Sequence, residues 1–369
     1  MVRVLCFLLI ILSLLLRPQP GLAQVNLGNT NASGLKTQGI TSENPLFTNE
    51  KELPFTLVLP LDALLKDRGD KPRFYPATIL YQDAAGATQT LVVQVRPRGH
   101  RRKDPTVCDF PPLLIRFPRS GTQATPFGQV EELKLTTHCL QDNYVLREYL
   151  VYKLYNMLTD MSFRVRLCRV TYQDANGKRR GSVHQAFLLE EVKAMAQRNH
   201  ATVVPNRLAI GMEYTHQRAM ARLAFFQYMV GNTDWSVPYR HNIRLLAPDR
   251  HTPPIPVPYD FDYTGLVMAP YAVPPEQLGI SSVRQRLFRG YSFPEEIYQE
   301  TRALFNARRP AFNNVYLSCE YLSNDEKAFA VRFLDEFYET LNSPKEFERS
   351  IVRAGRRNQK QYINIKGLE

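Results

Sequence analysis

The chain reads as an α+β protein of two lobes, with a strand-rich first region followed by a helix-rich second one. Three observations predict this. Short apolar runs broken by turn signals fill residues 55–137. Apolar side chains recur at helical spacing after residue 211. The polar motifs that carry chemistry cluster where the second texture has begun. Strands first and helices later are the order of segregated layers.

The first runs are LVLPL, ATILY and TLVVQVRP, separated by Asp67-Arg-Gly-Asp70 and by Asp83-Ala-Ala-Gly-Ala87. Bounded runs of this length predict antiparallel strands. PLLIRF from Pro112 and LKLTT from Leu133 extend the set. Leu146, Leu150, Leu154, Met157 and Leu158 then predict a helix over 144–158 that packs one face. FRVRLCRVTYQ and RGSVHQAFLLEE flank Asp174-Ala-Asn-Gly-Lys178, and the Asn-Gly pair predicts a β-hairpin. Later helices are expected over 216–230, 294–308 and 324–341. The last opens on Ser323-Asn-Asp-Glu326, a capping box, and carries Phe329, Phe333, Phe337 and Leu341 on one stripe.

The ends carry their own signals. Arg3, the apolar run Val4–Leu16 and the small-residue site near Gly21-Leu-Ala predict a secretory signal peptide over residues 1–23. The expected location is therefore periplasmic or secreted, without a transmembrane helix in the mature protein. Residues 24–50 are expected as a flexible leader, 51–205 as the β-rich lobe, 206–345 as the helical lobe and 346–369 as a basic tail. That tail holds Arg349, Arg353, Arg356, Arg357 and Lys360, and the whole chain has a formal charge of +12. Contact with an anionic surface is one reading of it and a solvated, frayed end the other. Export argues against nucleic acid as the partner.

Cleavage would leave Cys108, Cys139, Cys168 and Cys319. Their spacing fits no zinc pattern, and three pairings are open. Cys108 with Cys139 is the favoured bridge; four buried thiols are the alternative. The sequence holds no Walker loop, Gly-x-Gly-x-x-Gly, Gly-x-Ser-x-Gly elbow or His-Glu-x-x-His helix, which disfavours ordinary P-loop, serine-hydrolase and zinc-protease chemistry.

Two segments hold the densest polar chemistry, GNTDWSVPYRHN over Gly231–Asn242 and PYDFDYTG over Pro258–Gly265. Together they resemble the catalytic and metal-binding loops of kinases. With VRPRGHRR, in which Arg96, Arg98 and Gly99 match an Arg-x-Arg-Gly motif, the helix from Val145 and the strand ending FLLEEV, the chain resembles the CotH-type atypical protein kinases over roughly residues 90–270. It is more distantly similar to HipA-type kinases, which also carry an Asn-Thr-Asp loop and a later Tyr-Asp.

That resemblance implies a protein-kinase-like fold and the use of ATP and Mg2+ to phosphorylate a Ser or Thr hydroxyl of a protein acceptor. It implies Asp234 as the group that orients the hydroxyl, with Asn242, Asp260 and Asp262 holding the metal through hard oxygen donors. Lys134, in a strand just before the helix bearing Glu148, resembles with it the lysine and glutamate that grip nucleotide phosphates; a solvated strand face is the alternative for Lys134. Arg96 and Arg98 alternate on one strand face toward phosphates, or form an exposed basic face. Glu190 and Glu191 end a strand where kinases change lobes, which places one of them near the adenine or the metal; a plain charged strand end is the alternative. His216 and His241 are read as structural, and Trp235 as the wall of the catalytic loop or core.

Two departures mark the sequence. Asn242 follows Asp234 by eight positions rather than the five of protein kinases, and Cys108-Asp-Phe-Pro-Pro112 lacks the lysine expected after the Arg-x-Arg-Gly motif. These, with an export compartment poor in ATP, leave two alternatives open: a non-catalytic scaffold that binds a surface partner, and a phosphotransferase acting on a sugar or small molecule.

Overall fold

Seven strands close into a barrel in the order β1-β2-β3-β4-β5-β7-β6. They are β1 (Leu53–Leu59), β2 (Tyr75–Gln82), β3 (Thr88–Pro97), β4 (Leu113–Arg116), β5 (Glu132–Thr136), β6 (Val165–Asp174) and β7 (Ser182–Leu189). This computed structural model describes residues 44–118 and 120–360. The expected signal peptide, most of the expected leader and residues 361–369 lie outside them.

Alternation drives the barrel. Phe55, Leu57 and Leu59 on β1, and Leu91, Val93 and Val95 on β3, are buried at every second position and fill the interior with Ile79, Ile115 and Leu135. The expectation of antiparallel pairing throughout needs one correction. β1 runs parallel to β6, with Leu57 opposite Tyr172, while the other neighbours are antiparallel. The cause is parity: an odd number of strands cannot alternate direction around a closed ring, so one pair must be parallel.

The β6–β7 hairpin forms where Asn-Gly predicts it, and Gly177 has φ +66°. Its loop is longer than two residues because the Asp174 carboxylate gathers it, accepting the N–H groups of Lys178 and Arg179 at 2.7 and 3.1 Å. Part of the expected leader is structured. Asn44 accepts the Leu46 N–H at 3.0 Å and starts a helical turn, α1 (Pro45–Thr48), that buries Leu46 and Phe47; α2 (Leu61–Lys66) follows β1.

Helix α3 (Asp142–Asn156) lies between the barrel and the helical region. The sequence predicts one buried face. In the structure Val145, Tyr149, Val151, Tyr152 and Tyr155 are buried along with the Leu146 stripe, because two layers cover the helix instead of one.

The second region holds α4 (Val192–Arg198), a small sheet of β8 (Thr202–Val203), β9 (Ile243–Ala247) and β10 (Ile255–Pro258), and α5 (Gln217–Met229). Helices α6 (Glu295–Leu317), α7 (Asn324–Asn342), α8 (Pro344–Phe347) and α9 (Arg353–Lys360) complete it. Helix α6 continues through Pro310, past the predicted end at residue 308. Burial of Phe312 and Tyr316 beyond the proline offsets its cost of about 3 kcal/mol. The capping box of α7 is present in full between Ser323 and Glu326.

The expected basic tail is folded as far as Lys360. Ile351, Val352 and Ala354 are buried, and the Asn358 amide donates to the carbonyls of Phe288 and Gly290. Arg349, Arg353 and Arg356 pair with Glu346 or Glu348, so much of that charge is balanced locally. Among the described residues no helix is long and apolar enough to cross a membrane.

Candidate active site

A β-hairpin absent from the sequence reading brings the two polar motifs together. Strand β9 begins directly after Asn242, β10 ends just before Tyr259, and Ile243 pairs with Pro258. The Tyr259 N–H donates to the Asn242 carbonyl at 3.0 Å. The four prolines between 253 and 258 hid this strand; it is tolerated because β10 is an edge of its sheet.

Backbone conformation then aims the side chains. Asn242 and Asp260 both lie in the left-handed region, at φ +52° and +61°. Asn and Asp tolerate that region better than other side chains, and such positions concentrate where surrounding structure fixes a functional geometry. The Asp260 N–H is held at 2.8 Å by the hydroxyl of Tyr152, on α3.

Asp234 is oriented from three sides. His241 Nε2 lies 2.9 Å from its Oδ1, the Asn242 amide donates to its Oδ2 at 2.8 Å, and its own N–H donates to Asn232 Oδ1. Behind it, Trp235 is core and donates its indole N–H to the Asn232 carbonyl. Arg289 donates to the carbonyls of Thr233 and Trp235.

The centre of the site is Arg102, a residue the sequence reading passed over. Its guanidinium meets Glu148 at 2.9 Å, Asp260 at 2.7 Å and Asp262 at 3.2 Å. Burial works to lower its pKa, but Asp262, Glu148 and Asp260 outweigh that and hold it above the ordinary value. Three carboxylates cannot all ionise comfortably around one cation. Burial pushes the Asp262 carboxyl well above the usual range, against the pull of Arg102 and with the repulsion of Asp260 and Glu148 added. Tyr271 also donates to it, at 3.1 Å. Burial acts upward on Asp260 too, yet Arg102, Arg98 and Lys134 hold it below the usual range. Its side chain keeps 35% exposure, against 2% for Glu148.

A cavity of about 300 Å³ opens here, lined by Arg98, Arg101, Arg102, Asp234, Asn242 and Asp260 among others. Cationic side chains and hard oxygen donors in one cavity suit an anion carried with a divalent metal. Asp260, Asp262 and Asn242 fit magnesium by donor type. The amide nitrogen of Asn242 is committed to Asp234, which leaves its oxygen as the ligand-type atom. The Arg102 guanidinium holds Asp260 Oδ1 and Asp262 Oδ2, so a metal on these residues would compete with it or use their other oxygens.

The structure thus brings Arg98, Asp234, Asn242, Asp260 and Asp262 to one cavity, and Glu148 beneath it through Arg102. Other predicted residues lie elsewhere or act differently. The cation on Glu148 is Arg102 instead of the predicted Lys134. The Lys134 ammonium lies over the Tyr259 ring at 5.8 Å, and burial, with Arg98 and Arg244 nearby, lowers its pKa to about 8. Arg96 shares the face of Arg98 but stacks on Phe74 at 5.1 Å, away from the cavity lining. Glu190 is buried and occupied structurally: its carboxylate accepts from the Arg198 guanidinium at 2.9 and 3.0 Å and from the Arg164 N–H at 3.0 Å. His241, read as structural, stands on Asp234, whereas His216 caps α5. The run His100-Arg-Arg102 after the Arg-x-Arg-Gly motif was the available signal for Arg102.

The favoured bridge is present. Cys108 and Cys139 are joined across 31 positions, tying the loop that carries Arg102 to the end of β5. Arg68 braces the same loop through the carbonyls of Lys103 and Cys108. Cys168 and Cys319 are free thiols.

No protein-family model matches the chain, and no curated protein matches it. Among solved structures it is similar to a crystal structure of a Helicobacter pylori proinflammatory kinase, CtkA. The identity is 11% and the TM-score 0.35, over 62% of this chain and 91% of that one.

Proposed function

We propose that this chain is an exported CotH-like kinase that transfers the γ-phosphate of ATP to a protein Ser or Thr hydroxyl. The observation that carries the reading is the convergence of Asp234, Asn242, Asp260 and Asp262 with Arg98 and Arg102 on one cavity. Phosphoryl transfer asks a protein for positioning and charge stabilisation. Asp234, fixed by His241 and Asn242, accepts the proton of the incoming hydroxyl. Arg98 faces the phosphates. Asp260, Asp262 and the Asn242 oxygen would hold magnesium, which when bound would neutralise phosphate charge. Released from the aspartates, Arg102 stays on Glu148 and turns its remaining N–H groups to phosphate oxygens, the work expected of Lys134.

Thermal-shift measurements with ATP, magnesium and a chelator test this. Stabilisation that needs both ATP and the metal is the expected result. Folded protein that shows none would sink the reading.

One observation favours a second reading, the non-catalytic scaffold. Arg102 already pairs with Asp260 and Asp262, so both aspartates have a cationic partner without a metal.

A further inference from the structure

A second cluster of ligand-type side chains lies on the barrel, among residues the phosphotransferase reading does not use. His138 follows β5, Asp142 opens α3 and His184 sits in β7; one ligand atom of each lies within 4.8 Å of the others. His184 Nδ1 is 2.9 Å from Asp142 Oδ1, and the two imidazoles stack at 3.6 Å between centroids. His138 is 7% exposed, and its Nδ1 is buried without a hydrogen-bond partner. The hydroxyl of Tyr172, whose ring centroid is 5.9 Å from that of His138, is likewise buried and unpaired. The unpaired Nδ1 of His138, a ligand-type atom on a side chain more than nine-tenths buried within the His-Asp-His cluster, points to a bound cation.

We propose that His138, Asp142 and His184 bind one zinc-type divalent cation. Two imidazole nitrogens and a carboxylate oxygen are a donor set for zinc, leaving a fourth position for water; magnesium prefers oxygen alone. Asp142 and His184 are 42% and 29% exposed at their side chains, which gives the cation a route from solvent. A metal lies in the plane of each imidazole that binds it. His184, the more exposed ring, therefore turns out of the stack while His138 stays fixed. The bound cation staples β5, β7 and the first turn of α3, the helix whose Glu148 holds Arg102.

Cobalt(II) is the probe, because tetrahedral coordination gives intense visible bands. Chelator-treated protein is titrated in excess magnesium, which occupies oxygen sites without competing for nitrogen. One cobalt per chain, visible bands and a raised Tm are expected. His184→Gln should lose the bands, and Asp142→Asn, a nearly isosteric change on a partly exposed group, should weaken binding about tenfold or more. No bands in the parent protein, or unchanged binding in Asp142→Asn, would overturn the proposal. Because neither residue lines the phosphate cavity, this result is independent of ATP binding.

Discussion

The N–H of Gly265 donates to the carbonyl of Gly231 at 3.2 Å, so the first residue of one polar motif meets the last of the other. A Cβ on Gly265 would lie 2.6 Å from both Phe333 Cζ and the Val283 carbonyl. Gly265→Ala should cost about 1 to 3 kcal/mol through overpacking. Denaturant unfolding reads the loss; a variant as stable as the parent would show that the loops do not depend on this approach.

Removing Asp234 and Asp260 should have different consequences. Asp234→Ala should abolish phosphate transfer while leaving metal-dependent ATP affinity nearly intact, whereas Asp260→Ala should lose both. Calorimetric ATP titration beside a phosphorylation assay separates them. Equal loss of ATP affinity in the two variants would contradict the assigned roles.

Arg102→Gln strands three buried or half-buried carboxylates and should destabilise the fold by roughly 3 to 5 kcal/mol. If the guanidinium and the metal compete for Asp260 and Asp262, the folded fraction should bind manganese more tightly than the parent does. Paramagnetic titration measures this, and weaker manganese binding would exclude the competition.

The buried ammonium of Lys134, with a pKa of about 8, predicts a pH-dependent stability. Below pH 8 Lys134 is charged in both folded and unfolded chains, and the fold bears the full cost of burying it. Between about 8 and 10.5 only the unfolded chain keeps the proton, so that cost fades as pH rises. Lys134→Met should therefore stabilise at pH 7 by on the order of 2 to 3 kcal/mol, with the advantage shrinking across that window. Chemical denaturation at pH 7 and pH 10 tests it; an advantage that grows with pH would refute the cause.

Reduction of the Cys108–Cys139 bridge should lower stability by on the order of 3 kcal/mol, since it closes a loop of 31 positions in the unfolded chain. Hydrogen exchange should rise first around Arg101–Lys103 and β5, before the helices. Uniform loosening would place the effect elsewhere.

The barrel strands and the capped helix α7 were legible because each rests on a local pattern, alternation in β1 and β3 and a box at Ser323 and Glu326. The aspartates of the cavity were legible as motifs. Arg102 was not, because its meaning depends on Glu148, Asp260 and Asp262, which lie 46, 158 and 160 positions away and meet only in the fold. The β9–β10 hairpin was hidden by prolines that only an edge strand accepts. The cation beside Glu148 was illegible for the same reason: Lys134 precedes the helix in sequence, but Arg102 reaches it in the fold.

Closure of the seven-stranded barrel limits how another protein can be recognised. A ring without a free edge offers no ladder of open N–H and C=O groups, so an extended peptide cannot join it as an eighth strand. The small sheet closes its own edge beside the cavity: β10, which leads through Tyr259 into Asp260, is buried at Pro256, Val257 and Pro258, and its prolines offer no N–H to a further strand.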